Sequence, residues 1–270
     1  MSATSEKRRF WVLGGSDGEM EAIKALLGMA GEEWIQPQKK RGDLHFGFED
    51  IGKTEADLQK TTVVFAESEP LWSQASRPAI EVIIIDHHGD LSGRPASVLQ
   101  TLEILEKAGL KISELTRRWL ELVAANDCAA YAGMEGLGAT REEIERVRAF
   151  TRKAQGITNE HKAAALEALE CSQKHGSVLV ARGSIKNVCF LDLLYRSGRA
   201  DEQYLLVGSG SFHFAGDGEI CARLKDEFGG WTGGLGFGKK GDKRAFWGMN
   251  GSPNLLTRIL AKINQEAVRK

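Results

Sequence analysis

One stretch constrains this chain more than any other: Ile80-Glu81-Val82-Ile83-Ile84-Ile85 running into Asp86-His87-His88-Gly89-Asp90. Four consecutive β-branched residues bounded by polar residues and glycine predict a fully buried strand, of the kind found in parallel sheets. In open α/β sheets, ligands bind in the crevice beyond the carboxyl ends of the strands. The stretch therefore carries one carboxylate and two imidazoles to the place where such folds do chemistry. Imidazole plus carboxylate suits Mn, Fe, Co or Zn. The plain structural alternative is a strand end whose polar residues only cap a loop.

Two further segments end the same way. Phe10-Trp11-Val12-Leu13 is a short apolar strand followed by Gly14-Gly15-Ser16-Asp17-Gly18-Glu19. After it, Met20, Ile23, Leu26 and Leu27 fall at helical spacing, so strand, loop and helix are predicted, with Ser16 or Asp17 as the cap. Thr61-Thr62-Val63-Val64-Phe65-Ala66 is a third strand, closed by Glu67-Ser68-Glu69-Pro70. Parallel strands bring their C-terminal ends to one edge, so these carboxylates should converge. Carboxylates in one crevice repel unless a cation or a proton neutralises them. A divalent metal is the expectation. Another extended segment is predicted near Glu33 to Gln38, and loop or edge structure over Arg41 to Lys53.

Composition narrows the function classes. The 270 residues leave room for two domains, and 42% hydrophobic with 27% charged residues describes an ordinary globular protein. A formal net charge of -1 excludes a global basic field, so any phosphate site is local. Cys128, Cys171, Cys189 and Cys221 lack CxxC spacing, which argues against a zinc cluster and fits reduced thiols in a cytoplasmic protein. Met1 to Phe10 is polar and basic without an apolar signal core. No run reaches the roughly 18 apolar residues of a membrane helix.

From Ala96 the chain turns helical. Val98, Leu102 and Leu105 mark one amphipathic helix, closed by Gly109, and Ile112 to Met134 contains a second. Small residues flank Asp127, in Ala124-Ala125-Asn126-Asp127-Cys128-Ala129-Ala130, so that aspartate is expected in a tightly packed place with a partner. Thr140 to Gln155 and the polar His161 to Lys174 follow as helices, separated by Gly156. Ser177 to Gly183 and Tyr204 to Gly210 are strands, Cys221 to Phe228 a helix, Phe246-Trp247 a last strand. Leu255, Ile259, Leu260 and Ile263 form a closing helix. Between them lies Gly229-Gly230-Trp231-Thr232-Gly233-Gly234-Leu235-Gly236-Phe237-Gly238-Lys239-Lys240-Gly241. Such a loop admits close approach of a ligand to backbone amides. It matches neither the dinucleotide nor the P-loop fingerprint.

This arrangement resembles the DHH phosphoesterase superfamily, which includes RecJ-type exonucleases, nanoRNases, cyclic-dinucleotide phosphodiesterases and family II pyrophosphatases. Asp86-His87-His88 looks like the name-giving motif, and Asp17-Gly18-Glu19 like the first motif, usually Asp-x-Asp. Glu67 and Asp127 stand where the family has later metal-binding aspartates. Asp217 to Gly234 is similar to the DHH-associated domain. The chain departs from the pattern at Leu13, where the family carries a histidine, and at Glu19 and Glu67, where it carries aspartates. Trp231-Thr232-Gly233 follows the loop's first glycines where a histidine is usual.

The resemblance implies an α/β fold. A mainly parallel N-terminal sheet flanked by helices (1–155) is followed by a helical connector (156–176) and a smaller mixed α/β C-terminal domain (177–270). It implies metal-dependent hydrolysis of a small phosphorylated substrate, a nucleotide or short oligonucleotide, with a homodimer compatible. A divalent metal, Mn first and Mg, Co or Zn as alternatives, would be held by Asp17, Glu19, a bridging Glu67, His87 and Asp127. His88 would contact the substrate phosphate and Asp86 would orient a ligating imidazole. Arg182, Gly229, Gly230, Lys239 and Lys240 would bind substrate. The rival expectation is a degenerate member that binds nucleotide or metal without hydrolysis, because Leu13 offers no donor.

Overall fold

Strands β1 (Arg9–Leu13) and β4 (Thr62–Ala66) form the centre of a four-stranded parallel sheet in the order β2-β1-β4-β6, with β2 (Glu33–Ile35) and β6 (Glu81–Ile85) outside. The computed structural model describes residues 8–38, 44–91 and 93–268. The polar, basic start of the chain before Arg8, and residues 41–43 of the expected loop, lie outside the described residues. Contacts divide the chain into two units, Met1–His87 with Arg94–Ala124 and His88–Gly93 with Ala125–Lys270.

The first unit follows its sequence pattern closely. Trp11, Val12, Val63, Val64 and Phe65 are fully buried, as continuous apolar runs in a covered sheet require. Phe10, Val12, Val63, Phe65 and Ile80 pack with Phe46, Ile51 and Leu58. Those last three belong to the segment holding β3 (His45–Phe46) and α2 (Glu55–Leu58); β5 (Glu69–Pro70) pairs with β3. Helix α1 (Gly18–Ala30) buries Met20, Ile23, Leu26 and Leu27 and packs against α3 (Ser97–Lys107). Each such side chain contributes about 1.5–3 kcal/mol on burial.

The sequence predicts β6 as a fully buried strand, but it is an edge strand of this sheet, with Ile84 39% exposed. A run of β-branched residues specifies extended backbone, not the rank of the strand in its sheet. The strand that is buried along its whole length is its neighbour β4.

Helix α4 (Glu114–Gly136) breaks at Ala129 and Ala130, whose φ/ψ of -154°/22° and 46°/-127° are not helical. The break explains the small residues around Asp127. A Cβ added at Gly133 would lie 2.2 Å from the Ala125 carbonyl oxygen. Helix α5 (Arg141–Ala154) opens with a capping box between Thr140 and Glu143. The sequence extends the next helix to Lys174. Instead α6 (Asn159–Glu170) stops earlier, and β7 (Gln173–His175) pairs antiparallel with β8 (Val178–Arg182). Pairing within the sheet outweighs the local helical preference of Gln173 and Lys174.

The second unit holds a six-stranded mixed sheet in the order β11-β12-β10-β9-β8-β7. Strands β8 and β9 (Gln203–Val207) run parallel, joined by α7 (Asn187–Arg196). Strand β10 (Ser211–Gly216) alternates cleanly, burying Phe212 and Phe214. The sequence reading does not anticipate α7 or β10. Helix α8 (Gly218–Phe228), capped by Asp217, and α9 (Leu256–Val268) cover one face of the sheet around Trp247. Strands β11 (Trp231–Gly233) and β12 (Ala245–Asn250) complete it. No helix among the described residues is long and apolar enough to cross a membrane.

Candidate active site

The register of the first sheet sets Leu13, Ala66 and Ile85 side by side as the last residues of β1, β4 and β6. The residues that follow therefore leave one edge together. Gly14 donates to the Ala66 carbonyl at 2.9 Å, and a Cβ there would lie 2.5 Å from the Glu67 carbonyl oxygen. Only glycine fits at that approach. Glu67 takes a left-handed conformation, φ 49°, with its amide donating to Ile85 O at 2.9 Å. A non-glycine residue held this way costs on the order of 1–3 kcal/mol, and such strain concentrates at functional sites. Ser68 secures the turn by donating to Val12 O at 3.1 Å.

The turn aims Glu67 at His87. His87 Nε2 stands 3.2 Å from Glu67 Oε1 and 3.1 Å from Glu19 Oε2. Glu19 is 1% exposed and His87 6%. The other Glu19 oxygen accepts from Val98 N at 2.8 Å, where the first turn of α3 favours a negative charge. Two carboxylates thus converge on one imidazole nitrogen, and a single Nε2 proton cannot satisfy both. Donors about 2.0–2.2 Å from a shared ion stand roughly 3 Å from each other. Glu19, Glu67 and His87 therefore fit a divalent cation.

Asp17 caps α1, its Oδ1 accepting from Met20 N at 2.9 Å. Asp86 Oδ1 accepts from the His87 amide at 2.7 Å, and its carbonyl accepts from Gln100 Nε2 at 3.1 Å. Leu13 is fully buried and supplies no donor atom. In the second unit, Asp127 is half-buried in α4, and the buried polar residue beside it is Asn126. The Cys128 carbonyl, near the break in α4, accepts from Leu235 N of the glycine-rich loop at 3.2 Å.

That loop is more ordered than its composition suggests. Trp231 to Gly233 form β11 against β12, and Gly230, at φ 94°, lies so close to β12 that an added Cβ would meet Gly248 O at 2.1 Å. Gly229 ends α8, and its carbonyl accepts from Trp247 Nε1 at 2.8 Å. Lys239 donates to Leu235 O at 2.8 Å, while Lys240 and Arg182 are exposed.

Lys225, which has no role in the sequence reading, and Thr232 of the glycine-rich loop stand beside Gly89, which follows the second histidine of the motif. A Cβ at Gly89 would lie 3.9 Å from both Lys225 Nζ and Thr232 Oγ1, and one at Gly233 would lie 3.1 Å from His88 Cδ2. Thr232 is 4% exposed, yet its hydroxyl has no hydrogen-bond partner among the described residues. A buried, unpaired hydroxyl is costly unless a ligand completes it. The only sequence signal was a threonine set among four glycines. Burial pushes the Cys189 and Cys221 thiols up, which disfavours the thiolate.

No protein-family model matches the sequence, and no curated protein matches it. Solved structures do. RecJ from Thermus thermophilus in complex with Mg2+ aligns over 99% of this chain and 51% of its own, at 14% identity and TM-score 0.52. The same enzyme with Mn2+ gives 13% identity, 99% and 53% coverage and TM-score 0.52. This chain has a RecJ-like fold. It spans about half the length of the RecJ chains it matches. The pGpG-specific phosphodiesterase PggH from Vibrio cholerae aligns over 95% of this chain and 99% of its own at 12% identity and TM-score 0.39. The likeness of fold to RecJ agrees with the likeness of motif at Asp86-His87-His88.

Proposed function

We propose that this protein is a metal-dependent phosphoesterase acting on a nucleotide or short oligonucleotide. The observation that carries the reading is His87 Nε2 lying between Glu19 and Glu67, a donor set suited to a divalent ion. Mn is the first candidate, with Mg, Co or Zn as alternatives. Asp17 and Asp127 are proposed as further ligands on the strength of the family resemblance. A bound divalent ion would neutralise charge on phosphate oxygens and lower the pKa of a water.

The chain's own residues do the rest. Burial keeps water from competing for Glu19 and His87. The Val98 amide fixes the carboxylate plane of Glu19, and Asp86 pins the backbone that orients His87. His88 and Lys225 are proposed to contact the substrate phosphate, and the Thr232 hydroxyl to donate to one of its oxygens. Gly229 and Gly230 shape the strand that carries Thr232. Arg182, Lys239 and Lys240 are proposed as outer phosphate contacts.

The second reading, binding without hydrolysis, draws on Leu13, which is fully buried and donates nothing. One experiment separates the two. Metal-free protein is loaded with Mn or Mg and assayed on a chromogenic phosphodiester, mononucleotides and short oligonucleotides, alongside His87→Ala. Turnover that needs metal and His87 supports the hydrolase. Saturable nucleotide binding without turnover supports the second reading.

A further inference from the structure

Helices α5, α6 and α7 of the second unit form a half-open recess of about 150 Å³, lined by Arg152, Lys162, Cys189, Asp192, Leu193 and Arg196. Three cations from three helices meet there with one carboxylate. That carboxylate is already committed. Asp192 Oδ1 accepts from Arg148 Nε at 2.8 Å, Arg148 Nη2 at 2.6 Å and the Tyr131 hydroxyl at 2.7 Å. Its Oδ2 accepts from Arg152 Nη1 at 2.5 Å.

The charge around the cavity does not balance. Arg148 is 3% exposed, so its buried charge must be met by Asp192. Glu145 is shared between Arg196 at 3.2 Å and Arg152 at 3.7 Å. Lys162 Nζ donates to the neutral Asn159 side chain at 3.4 Å. Four cations thus stand against two carboxylates, Asp192 and Glu145, leaving a surplus of two positive charges. Converging cations in a partly desolvated recess repel one another unless an anion enters.

The shape says which anion. The volume lies below the roughly 300 Å³ at which drug-sized ligands are held, so the recess itself takes a group about the size of a phosphate. A tetrahedral oxyanion with a little water fits. Arg152 and Arg196 offer planar forks suited to adjacent oxyanion oxygens, and Lys162 a point charge at the mouth. Leu193 and Cys189 complete the lining.

We propose that this pocket is a binding site for a small phosphate-type dianion, separate in its residues from the proposed catalytic set. The probe is inorganic phosphate, titrated into metal-free protein at constant ionic strength held with chloride, and followed by calorimetry and thermal unfolding. Wild type should bind phosphate saturably and gain thermal stability that chloride does not give. Lys162→Ala with Arg196→Ala, both at the open mouth, should weaken that binding at least tenfold. The His88→Ala and Thr232→Val proteins should keep it. Binding lost in those two but retained in the double variant would overturn the proposal, as would no saturable binding at all or an equal effect of chloride. None of these results bears on metal-dependent turnover, which is measured separately.

Discussion

His87 Nε2 and Glu19 Oε2 lie 3.1 Å apart, although 68 residues separate them in the chain. The contact exists because β1 and β6 flank β4 in one parallel sheet, and because the first turn of α1 brings Glu19 under the end of β6. Glu19 spends one oxygen on Val98 N, which leaves the other to face the imidazole.

That division of labour is testable with Glu19→Gln. The amide oxygen still accepts from Val98, so the fold should hold, with the melting temperature shifted by a few degrees at most. The charge is gone, so divalent-metal affinity should fall at least about tenfold, the scale seen when groups supporting a metal site are removed. Elemental analysis after dialysis against Mn checks it. Unchanged metal content in both Glu19→Gln and His87→Ala would remove this site from consideration.

Thr232→Val separates ligand binding from folding. The hydroxyl has no partner among the described residues, so an isosteric apolar side chain should leave stability unchanged or raise it by up to about 1 kcal/mol. Turnover of a phosphoester should drop, with KM affected if Thr232 holds the phosphate. Loss of stability without loss of activity would show that the hydroxyl serves the fold.

The buried pair Arg148 and Asp192 should dominate the stability of the second unit. Arg148 also donates to Asn126 Oδ1 at 2.8 Å, tying α5 to α4 beside Asp127. Breaking a buried ion pair costs about 3–5 kcal/mol, because one charge is left uncompensated. Arg148→Met should fall at the low end of that range, since Arg152 and Tyr131 still reach Asp192. Adding Asp192→Leu should recover part of the loss. Urea unfolding of the two single variants and the double variant measures the coupling.

Acid should loosen the glycine-rich loop late. The hydrogen bond from Arg244 holds the Asp242 carboxyl down to about 2. With the folded value depressed, its stabilisation is complete above the ordinary carboxylate value of about 3.9 and is lost as the pH falls from there to about 2. Arg244 is 46% exposed, so solvent screening keeps the contribution small. Asp242→Asn should flatten the fall in melting temperature between pH 4 and pH 2. A carboxyl titration of Asp242 near 4 in the folded protein would contradict the assignment.

Much of this protein was legible from its residues alone. Apolar runs ending in Asp17, Glu67 and Asp86 identify three strands of a parallel sheet, because strand periodicity and the polar break at its end are local properties. The cap at Asp17 and the opening of a helix at Thr140 are local too, whereas the pairing of Trp231 to Gly233 with β12 is not. The order of the strands was not legible. The apolar run Val82 to Ile85 looks as buried as Val63 to Phe65, and only pairing across the sheet made one an edge and the other a centre. The same holds at the site. By its local pattern Glu19 is a first-turn acid, set with His87 beforehand only by the family resemblance, and Thr232 an ordinary loop residue; packing puts Glu19 beside His87 and leaves the Thr232 hydroxyl buried without a partner among the described residues. Arg152, Lys162 and Arg196 are far apart along the chain, and only the packing of α5, α6 and α7 sets them around one recess. Local sequence determines what each segment is, since backbone propensity and periodicity act over a few residues. Which side chains meet is decided by long-range packing, whose free energy belongs to no single segment.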